Sequence, residues 1–441
     1  MEINNDGVRA RPVVAAAGRI ARTPEYGKGF RVRSLRVDRS GWWVVAGCFT
    51  CLLGESIGTY VFTPMLKPVV GDLGWTRTEF TFSGLWVSLV MMIAVPLAGV
   101  LTDRGWTRSV LAFGALCLGA SMYLFSRMHS LGEFYGITAL MGLGIGCSGG
   151  IPGTALLTRW FDARRGIALG VMGLGHNLGG LLLPPLVTWI VGAQGWRAAF
   201  QYLAYFVWLL IVPVILLVIR EAPARRRAET PAAEDPVASE RLRLGDGLRS
   251  ATFWLLSAVS FFHIFYFSGV IVHFVAFTTD VGLAPEAAAT AFGTLLGLGI
   301  AGRLVFGWAA DRFSRRGTMA FALLVTTVAS LLLQRIRSPG FLPAFVVLQG
   351  LGAVGVQTLL GLLVGEVFGP LNVGTFLGVM MLFQVPAGVG GAILAAESFD
   401  HLGSYLPAFW LFSAGNLIAT LAIAAVRPLP LAEPERVRAA S

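Results

Sequence analysis

Several ionisable residues lie inside long apolar stretches, where a charge is costly and is therefore a candidate for function, and three of them offer the clearest chemistry. Arg303 lies eight residues before Asp311, which places it about 12 Å along a helix from that helix's polar end. A guanidinium stays charged there and can bind a carboxylate through two parallel hydrogen bonds. His273 and Glu55 can exchange a proton with their surroundings. The chemistry that these residues offer is reversible binding of an anion and of protons.

Each of the three also has a structural interpretation. Arg303 would be satisfied by a pair with Glu55 or by a cluster of backbone carbonyls, and His273 by ordinary packing hydrogen bonds. A permanent pair of Glu55 with Arg303 or with a histidine is as reasonable as a proton site. These alternatives stay open on the sequence alone.

The segment around His273 carries polar and aromatic side chains at helical spacing. Phe262, Tyr266, His273 and Phe277 recur at spacings of four, seven and eleven, which places them on one face of a helix. We expect this face to line a cavity, with the Tyr266 hydroxyl and the His273 imidazole as binding groups. A packing role for His273 is the alternative.

The elements that position these residues must be membrane helices. Of the 441 residues, 55% are apolar and only 13% are charged, whereas soluble proteins carry about 25% charged residues. This balance excludes a soluble enzyme, a disordered chain and a secreted disulfide scaffold.

A bilayer core needs about 20 apolar residues per helix, and the sequence contains twelve such segments. They run over 41–65, 77–101, 108–127, 131–158, 166–192, 197–220, 251–279, 286–311, 317–336, 340–368, 373–398 and 405–426.

Polar segments divide the chain into two bundles and three connecting or terminal pieces. We predict a basic cytoplasmic tail over 1–40, an N-terminal six-helix bundle over 41–220, a cytoplasmic linker over 221–250, a C-terminal six-helix bundle over 251–426 and a cytoplasmic tail over 427–441. The linker is rich in Pro, Ala and charged residues, a composition typical of flexible connections.

The Lys and Arg residues are distributed unevenly across the predicted spans. Six of the 34 lie on one side and Arg303 lies within a span, while the others lie in the tails, the linker and alternate loops of the other side. Because basic loops stay in the cytoplasm, we predict a protein of the inner membrane with both termini cytoplasmic. Charge spread over tails and loops also argues against nucleic-acid binding.

A spacing of 208 residues relates the two halves. The tripeptide 72–74 (Asp-Leu-Gly) recurs as 280–282 (Asp-Val-Gly), and the segment 99–104 recurs as 307–312 with the shared pattern G-x-x-x-D-R. Two repeats of the same topology are related by a pseudo-twofold axis along the membrane normal, with a binding site between them near mid-membrane. We therefore predict an all-α membrane protein of twelve transmembrane helices in two pseudo-symmetric six-helix bundles.

The repeat also pairs polar residues inside the spans. Glu55 corresponds to His263, so the two could meet across the pseudo-axis and share a proton. His176 corresponds to Gln384, and we expect Asn177 and Gln384 to contact a bound solute. Interhelical hydrogen bonding is the alternative role for these side chains.

Both copies of the G-x-x-x-D-R motif end a predicted helix on the basic side. A carboxylate, a guanidinium and a closely packing glycine at such a place can form an ion-paired latch, which holds one arrangement of the halves and breaks in the other. A plain orientation signal is the alternative. The predicted latch residues are Asp103, Arg104, Asp311, Arg312, Arg164 and Arg165.

The twelve spans and the repeated motif resemble the major facilitator superfamily over nearly the whole chain. The segment 160–170 (WFDARRGIALG) is similar to the loop and fifth-helix signature of the monocarboxylate transporter and oxalate–formate antiporter group, which runs aromatic-Phe-x-x-Arg/Lys-Arg-x-x-Ala-x-Gly. The segments 38–43 (DRSGWW) and 273–282 resemble that group more loosely. The resemblance implies the twelve-helix fold of that superfamily.

The resemblance also implies roles for single residues. In that group an arginine at this place in helix 8 holds the substrate anion, and Arg303 matches it. Animal members carry an aspartate one turn earlier and a lysine deep in helix 1, where this chain has Gly299 and Tyr60. Any coupled proton would therefore be carried by Glu55 or His273.

Together these patterns predict a secondary active transporter and not an enzyme. We expect proton-coupled symport of a small organic anion, such as lactate or pyruvate, by alternating access. The expected partners are this anion, protons and membrane lipid, and the protein is expected to be a monomer without metal or cofactor. The sequence shows no Walker-type phosphate loop, so the energy would come from an ion gradient. Alternatives are anion exchange of the oxalate–formate type, efflux of drugs or other solutes, and a non-transporting membrane sensor.

Overall fold

The computed structural model describes residues 39–148, 150–161, 165–221, 244–336, 339–368 and 373–426. Within these ranges it contains twelve helices that are long and apolar enough to cross a membrane. This confirms the prediction of an all-α, twelve-helix protein. Residues 1–38 and 427–441 and most of the predicted linker lie outside the described residues, so the domain boundaries drawn there stay a prediction.

The spanning helices are labelled α1–α12 in chain order. The first six are α1 (Arg39–Tyr60 and Phe62–Leu73), α2 (Arg77–Asp103), α3 (Thr107–Phe125), α4 (Leu131–Ser148 and Gly150–Trp160), α5 (Arg165–Gln194) and α6 (Trp196–Phe206 and Val212–Val218, joined by a π-helical turn at Val207–Ile211). The second six are α7 (Ala251–Asp280), α8 (Pro285–Arg312), α9 (Arg315–Leu333), α10 (Leu342–Phe368), α11 (Val373–Leu402) and α12 (Leu406–Ala425). A further short helix, Leu244–Arg249, lies within the predicted linker, which is therefore not flexible throughout.

Proline explains why α1 has two segments. Proline lacks an N–H, and its ring collides with the carbonyl four residues earlier. Pro64 therefore cannot donate to the carbonyl of Tyr60, where the first segment of α1 ends. This span is interrupted inside the bundle rather than at a loop.

The sequence repeat is also a repeat of contacts. Arg108 at the start of α3 donates a hydrogen bond to the carbonyl of Leu216 at the end of α6. Arg316 at the start of α9 donates in the same way to the carbonyl of Ala424 at the end of α12. Both partners keep the spacing of 208, so each half is tied by the same cationic cap on the same carboxyl-terminal helix end.

Among the described residues, the main contacts between the halves join α1 with α7, α2 with α11 and α5 with α8. The hydroxyl of Thr63 donates to the carbonyl of Ile271 at 3.3 Å. These two residues are 208 positions apart, so the contact joins equivalent positions and marks the pseudo-twofold axis. We call the end with the loops 74–76, 281–284 and 403–405 the closed end, and the end with the two G-x-x-x-D-R motifs the signature end.

Candidate functional site: an opening between the two halves

Hydrogen bonds join the halves at the closed end. The carboxylate of Asp280 accepts from Lys67 at 2.6 Å and from Arg77 at 2.7 Å. The carboxylate of Asp400 accepts from the backbone N–H of Thr78 at 2.7 Å. Residues of the N-terminal half that take part among the described residues are Thr63, Lys67, Arg77, Thr78 and Thr81. All of them lie at the ends of α1 and α2 that meet α7, α11 and the loop before α12.

Toward the signature end the same helices separate. Near the closed end, α5 and α8 pack so tightly that a side chain at Gly293 would collide with the carbonyl of Leu181. Further along, glycines of these two helices have open space where a side chain would project. They are Gly170 of α5 and Gly307 of α8. The interface between α5 and α8 is thus open toward the signature end.

Arg303 projects into this opening. Its side chain is exposed, and its charge lies within electrostatic range of Tyr60 on α1 and His176 on α5. Both of these residues belong to the opposite half, so the guanidinium faces that half rather than lipid. Among the described residues it pairs with no carboxylate. It is a charged donor with unused hydrogen-bonding capacity.

Aromatic side chains surround the end of the opening that Arg303 faces. The rings of Tyr60 and His176 have centroids 5.0 Å apart, and Tyr60 lies 6.5 Å from the ring of Phe292 on α8. Between the halves, Tyr60 and Leu296 both approach Gly180. Tyr60 therefore links α1, α5 and α8 next to the guanidinium.

Glu55 is an acid near this group. Its carboxylate is half-buried and interacts with the backbone of Gly150 on α4. Glu55 is also within electrostatic range of Tyr60. Tyr60 is thus reached by an acid from its own half and by Arg303 from the other.

Tyr266 and His263 do not lie where the sequence predicts, in a cavity and next to Glu55, respectively. The Tyr266 hydroxyl is fully buried and donates to Gln349 on α10 at 2.5 Å. His263 is 1% exposed and stacks on Phe267, and it does not meet Glu55. The reason is that this face of α7 packs against α10 and α12 inside the C-terminal bundle. Helical spacing groups these residues correctly but does not tell which neighbour their face meets.

His273 is buried in the closed end rather than in the opening. Its Nε2 atom lies 2.9 Å from the carbonyl of Ala392, and its Nδ1 atom lies 3.3 Å from the hydroxyl of Tyr405. Thr81 of the N-terminal half lies 3.5 Å from Nε2. The imidazole therefore takes part in the contact between halves.

The remaining predicted solute contacts are satisfied locally. Asn177 is half-buried and donates to the carbonyl of Gly173 on its own helix at 3.3 Å. Gln384 donates to Ser260 on α7 at 2.6 Å. Neither bond crosses between the halves, so their role in binding stays a prediction.

The latch residues whose side chains the structure describes do not form the predicted ion pairs. Arg104, Asp311 and Arg312 are exposed and form no ion pair with another described residue. Arg164 and the side chains of Asp103 and Arg165 lie outside the described residues. The latch therefore stays a prediction about the opposite arrangement of the halves.

Sequence reasoning missed the charges of the closed end. Lys67 and Arg77 were only two of the six basic residues counted on the less basic side, and Asp280 was only part of the repeat. A signal was present, because the N-terminal half contributes cations at this end and the C-terminal half contributes Asp280 and Asp400. Opposite charges on the two halves favour their contact.

A family model places the chain. The model of the Major Facilitator Superfamily matches residues 48–305 and 259–441, which together span nearly the whole sequence. The chain belongs to the major facilitator superfamily. Its membership makes it a multi-pass membrane transporter rather than an enzyme.

Curated relatives of this superfamily member include carriers of organic acids. It is 23% identical to "Monocarboxylate transporter 12" of Mus musculus over 415 residues, which covers 88% of this chain and 85% of that protein. It is 25% identical to "Oxalate:formate antiporter" of Oxalobacter formigenes over 317 residues, covering 69% of this chain and 71% of that protein.

Solved structures share the fold of this superfamily member. A D-xylose–proton symporter matches with a TM-score of 0.69 at 15% identity, covering 88% of this chain and 98% of that one. A bacterial homologue of the human lysosomal transporter Spinster, in an inward-facing and occupied conformation, matches with a TM-score of 0.65 at 16% identity over 87% of this chain and 95% of that one. At such identities the likeness concerns the fold alone.

Proposed function

We propose that this transporter moves a small organic anion together with protons by alternating access, and that its substrate is a monocarboxylate such as lactate or pyruvate. The observation that carries the proposal is the exposed guanidinium of Arg303 in the opening, without a carboxylate partner among the described residues. Two relatives, named as a monocarboxylate transporter and an oxalate:formate antiporter, support the same class of solute.

The anion would dock on Arg303 and bridge the two halves. A guanidinium matches a carboxylate with two parallel hydrogen bonds, which is the geometry that distinguishes it from a lysine. Tyr60 and His176, on the opposite half, offer a hydroxyl and a ring nitrogen to the same anion. Because the substrate contacts both halves, its binding favours an arrangement in which the signature end closes around it.

Glu55 is the proposed proton carrier next to the substrate. It is within electrostatic range of Tyr60, so its charge is felt where the anion would bind. A proton on Glu55 removes a negative charge from that region, and a neutral side chain is enclosed in the low-dielectric interior at lower cost when the opening closes. Loading of anion and proton would therefore be mutually favourable.

The proposed orientation puts the opening in contact with the cytoplasm. The basic loops, including Arg104, Arg108, Arg312, Arg315 and Arg316, lie at the signature end, and such loops stay cytoplasmic. The arrangement described above is then the inward-open one, in an inner-membrane protein that acts as a monomer.

The test is uptake of labelled lactate, pyruvate and oxalate into proteoliposomes, with and without an inward pH gradient. We expect the gradient to accelerate uptake of one monocarboxylate. Arg303→Ala should reduce that uptake about 100-fold, and Arg303→Lys should reduce it about tenfold, since loss of a charge-assisted pair costs roughly 1.5–3 kcal/mol.

The matched control is Arg127→Lys. Arg127 is an exposed arginine in the loop after α3 and contacts Tyr123, so this variant should transport normally. Full activity of Arg303→Lys with the same acid would contradict docking through two hydrogen bonds. Uptake that ignores the pH gradient but requires an anion inside the vesicles would replace symport by exchange, as the name of the Oxalobacter relative describes for that protein.

A further inference from the structure

The closed end contains a group of six residues that we call the closed-end cluster: Lys67, Arg77, His273, Asp280, Asp400 and Tyr405. The N-terminal half supplies the two permanent cations and the C-terminal half supplies the two carboxylates. Asp280 accepts from both cations, and Asp400 accepts from the backbone of Arg77 and Thr78 at the start of α2. The guanidinium of Arg77 also lies 3.5 Å from the ring centre of Phe399. These contacts hold the halves together at this end.

Geometry determines which nitrogen of His273 carries the proton. Its Nε2 atom lies 2.9 Å from the carbonyl of Ala392, and a carbonyl can only accept a hydrogen bond. Nε2 must therefore carry a hydrogen, which leaves a lone pair on Nδ1 in the neutral ring. The Tyr405 hydroxyl, 3.3 Å from Nδ1, donates to that lone pair.

Tyr405 connects this histidine to the ion pairs. Its oxygen accepts a hydrogen bond from Arg77, whose same nitrogen donates to Asp280. Burial raises the pKa of the Tyr405 phenol, so the hydroxyl keeps its hydrogen and can donate it. A directed series of hydrogen bonds thus runs from Arg77 to Tyr405, then to His273, then to the Ala392 carbonyl.

A second proton on His273 would break this series. It would occupy the Nδ1 lone pair that accepts from Tyr405, so two donors would face each other. It would also add a positive charge to a cluster whose two cations and two carboxylates balance. The charged groups facing the ring are Arg77 from α2 and Asp400 from the end of α11, with Lys67 and Asp280 beyond Arg77. Asp400 attracts a charged ring and Arg77 repels it, but Asp400 makes its hydrogen bonds with the backbone at the start of α2 rather than with the ring.

We propose that His273 is a proton-binding site that controls the closed end: the neutral ring keeps the two halves in contact, and protonation at Nδ1 releases them. The inference deepens the proposed function, on whose alternating access it rests. Opening of this end admits water to the ring and makes the charged form easier to hold, and by linkage proton binding and opening favour each other. His273 then senses protons on the side from which the closed end opens, whereas Glu55 lies near the substrate.

The test measures a distance across the closed end without any substrate. Spin labels on Gly132→Cys at the start of α4 and Leu402→Cys at the end of α11 lie on different halves, and both positions are exposed. The native cysteines are buried and react little. We expect the population with the longer distance to rise about fivefold or more between about pH 8 and about pH 5.5, the range in which histidine titrates.

The decisive variant is His273→Asn, whose side-chain oxygen can accept from Tyr405 but cannot be protonated in this range. Its distance distribution should not respond to pH and should remain short. His273→Gln, which instead keeps a donor for the Ala392 carbonyl, should also be insensitive to pH and provides a second variant if the first fails to fold. His129→Asn, at an exposed histidine in the loop before α4, should respond like the parent protein.

Two results would overturn the proposal: a distance distribution of the parent protein that does not change with pH, or a response that persists in both His273 variants, which would move the effect to Asp280 or Asp400. Tyr405→Phe should increase the longer-distance population already at about pH 8, because it removes the bond to His273 and the acceptor for Arg77. Because no anion is present, a failure of the Arg303 proposal would appear in the uptake assay and leave this result unaffected.

Discussion

The two ends of the interface between the halves differ in how their charges are used. At the closed end, Arg77 and Asp280 are paired at 2.7 Å, with side chains only 9% and 26% exposed. At the signature end, Arg104, Asp311 and Arg312 are exposed and unpaired with any other described residue. One end of the interface is thus held by ion pairs while the other keeps its charges in water, as expected if the ends alternate in these roles.

The comparison also separates repeated from unrepeated residues. The repeated arginines, Arg108 and Arg316, bind carbonyls within their own halves. By contrast, Lys67 has Val275 at its repeat position, and the position equivalent to Arg77 is occupied by Pro285. The two repeated arginines therefore stabilise their own bundles, whereas Lys67 and Arg77, which have no basic counterpart in the repeat, join the bundles through Asp280. A joint between halves needs complementary partners, and identical surfaces carry like charges that repel.

The largest effect on this comparison should come from Arg77→Ala. The change leaves Asp280 without its better-buried partner and removes the donor to Tyr405, so it should weaken the closed end by about 2 kcal/mol, or about 30-fold in the open fraction. The spin-label distance across the closed end at about pH 8 would measure this shift.

Lys67→Ala is the matched comparison on the same carboxylate. Lys67 is 38% exposed, and ion pairs that water reaches contribute only about 0.2–1 kcal/mol. The open fraction should thus change by a few-fold at most. Equal effects of the two variants would contradict the view that burial of Arg77 is what holds this end.

A smaller effect is expected from packing along α8. Gly293→Ala should destabilise the protein by about 1–3 kcal/mol, because the new Cβ atom would collide with the carbonyl of Leu181 on α5. Gly307→Ala, fourteen residues further along the same helix, enters open space and should be neutral or stabilising by about 0.5–1 kcal/mol. Thermal unfolding in detergent compares the two, and a similar loss for both would contradict an interface that opens toward the signature end.

The smallest effect on stability should follow Asp311→Asn. Since this carboxylate is exposed and unpaired with described residues, its loss should change the unfolding free energy by less than about 0.5 kcal/mol. Uptake should nevertheless slow if Asp311 belongs to a latch in the opposite arrangement. Normal uptake would mean that the G-x-x-x-D-R motif at this position acts only as an orientation signal.

Much of the fold could be predicted from the sequence because lipid imposes simple rules. A span must be apolar for about 20 residues and must bond its backbone internally, so all twelve helices are visible as apolar runs. The spacing of 208 predicted the repeat, and Arg303 was conspicuous because a charge in such a run is rare. Each of these inferences depends only on residues near one another along the chain or on a constant offset.

The tertiary structure alone decided which faces meet. In a soluble helix the apolar face identifies the core, but membrane helices are apolar on the lipid side as well, so periodicity does not separate interior from exterior. This is why Tyr266 was expected in the opening yet bonds to Gln349 inside the C-terminal bundle, and why Tyr60 was seen only as a departure from a family pattern. Which end of the interface is closed depends on pairs such as Arg77 with Asp280, more than 200 residues apart. Such a contact is set by how two whole bundles lie against each other, and no local pattern encodes it.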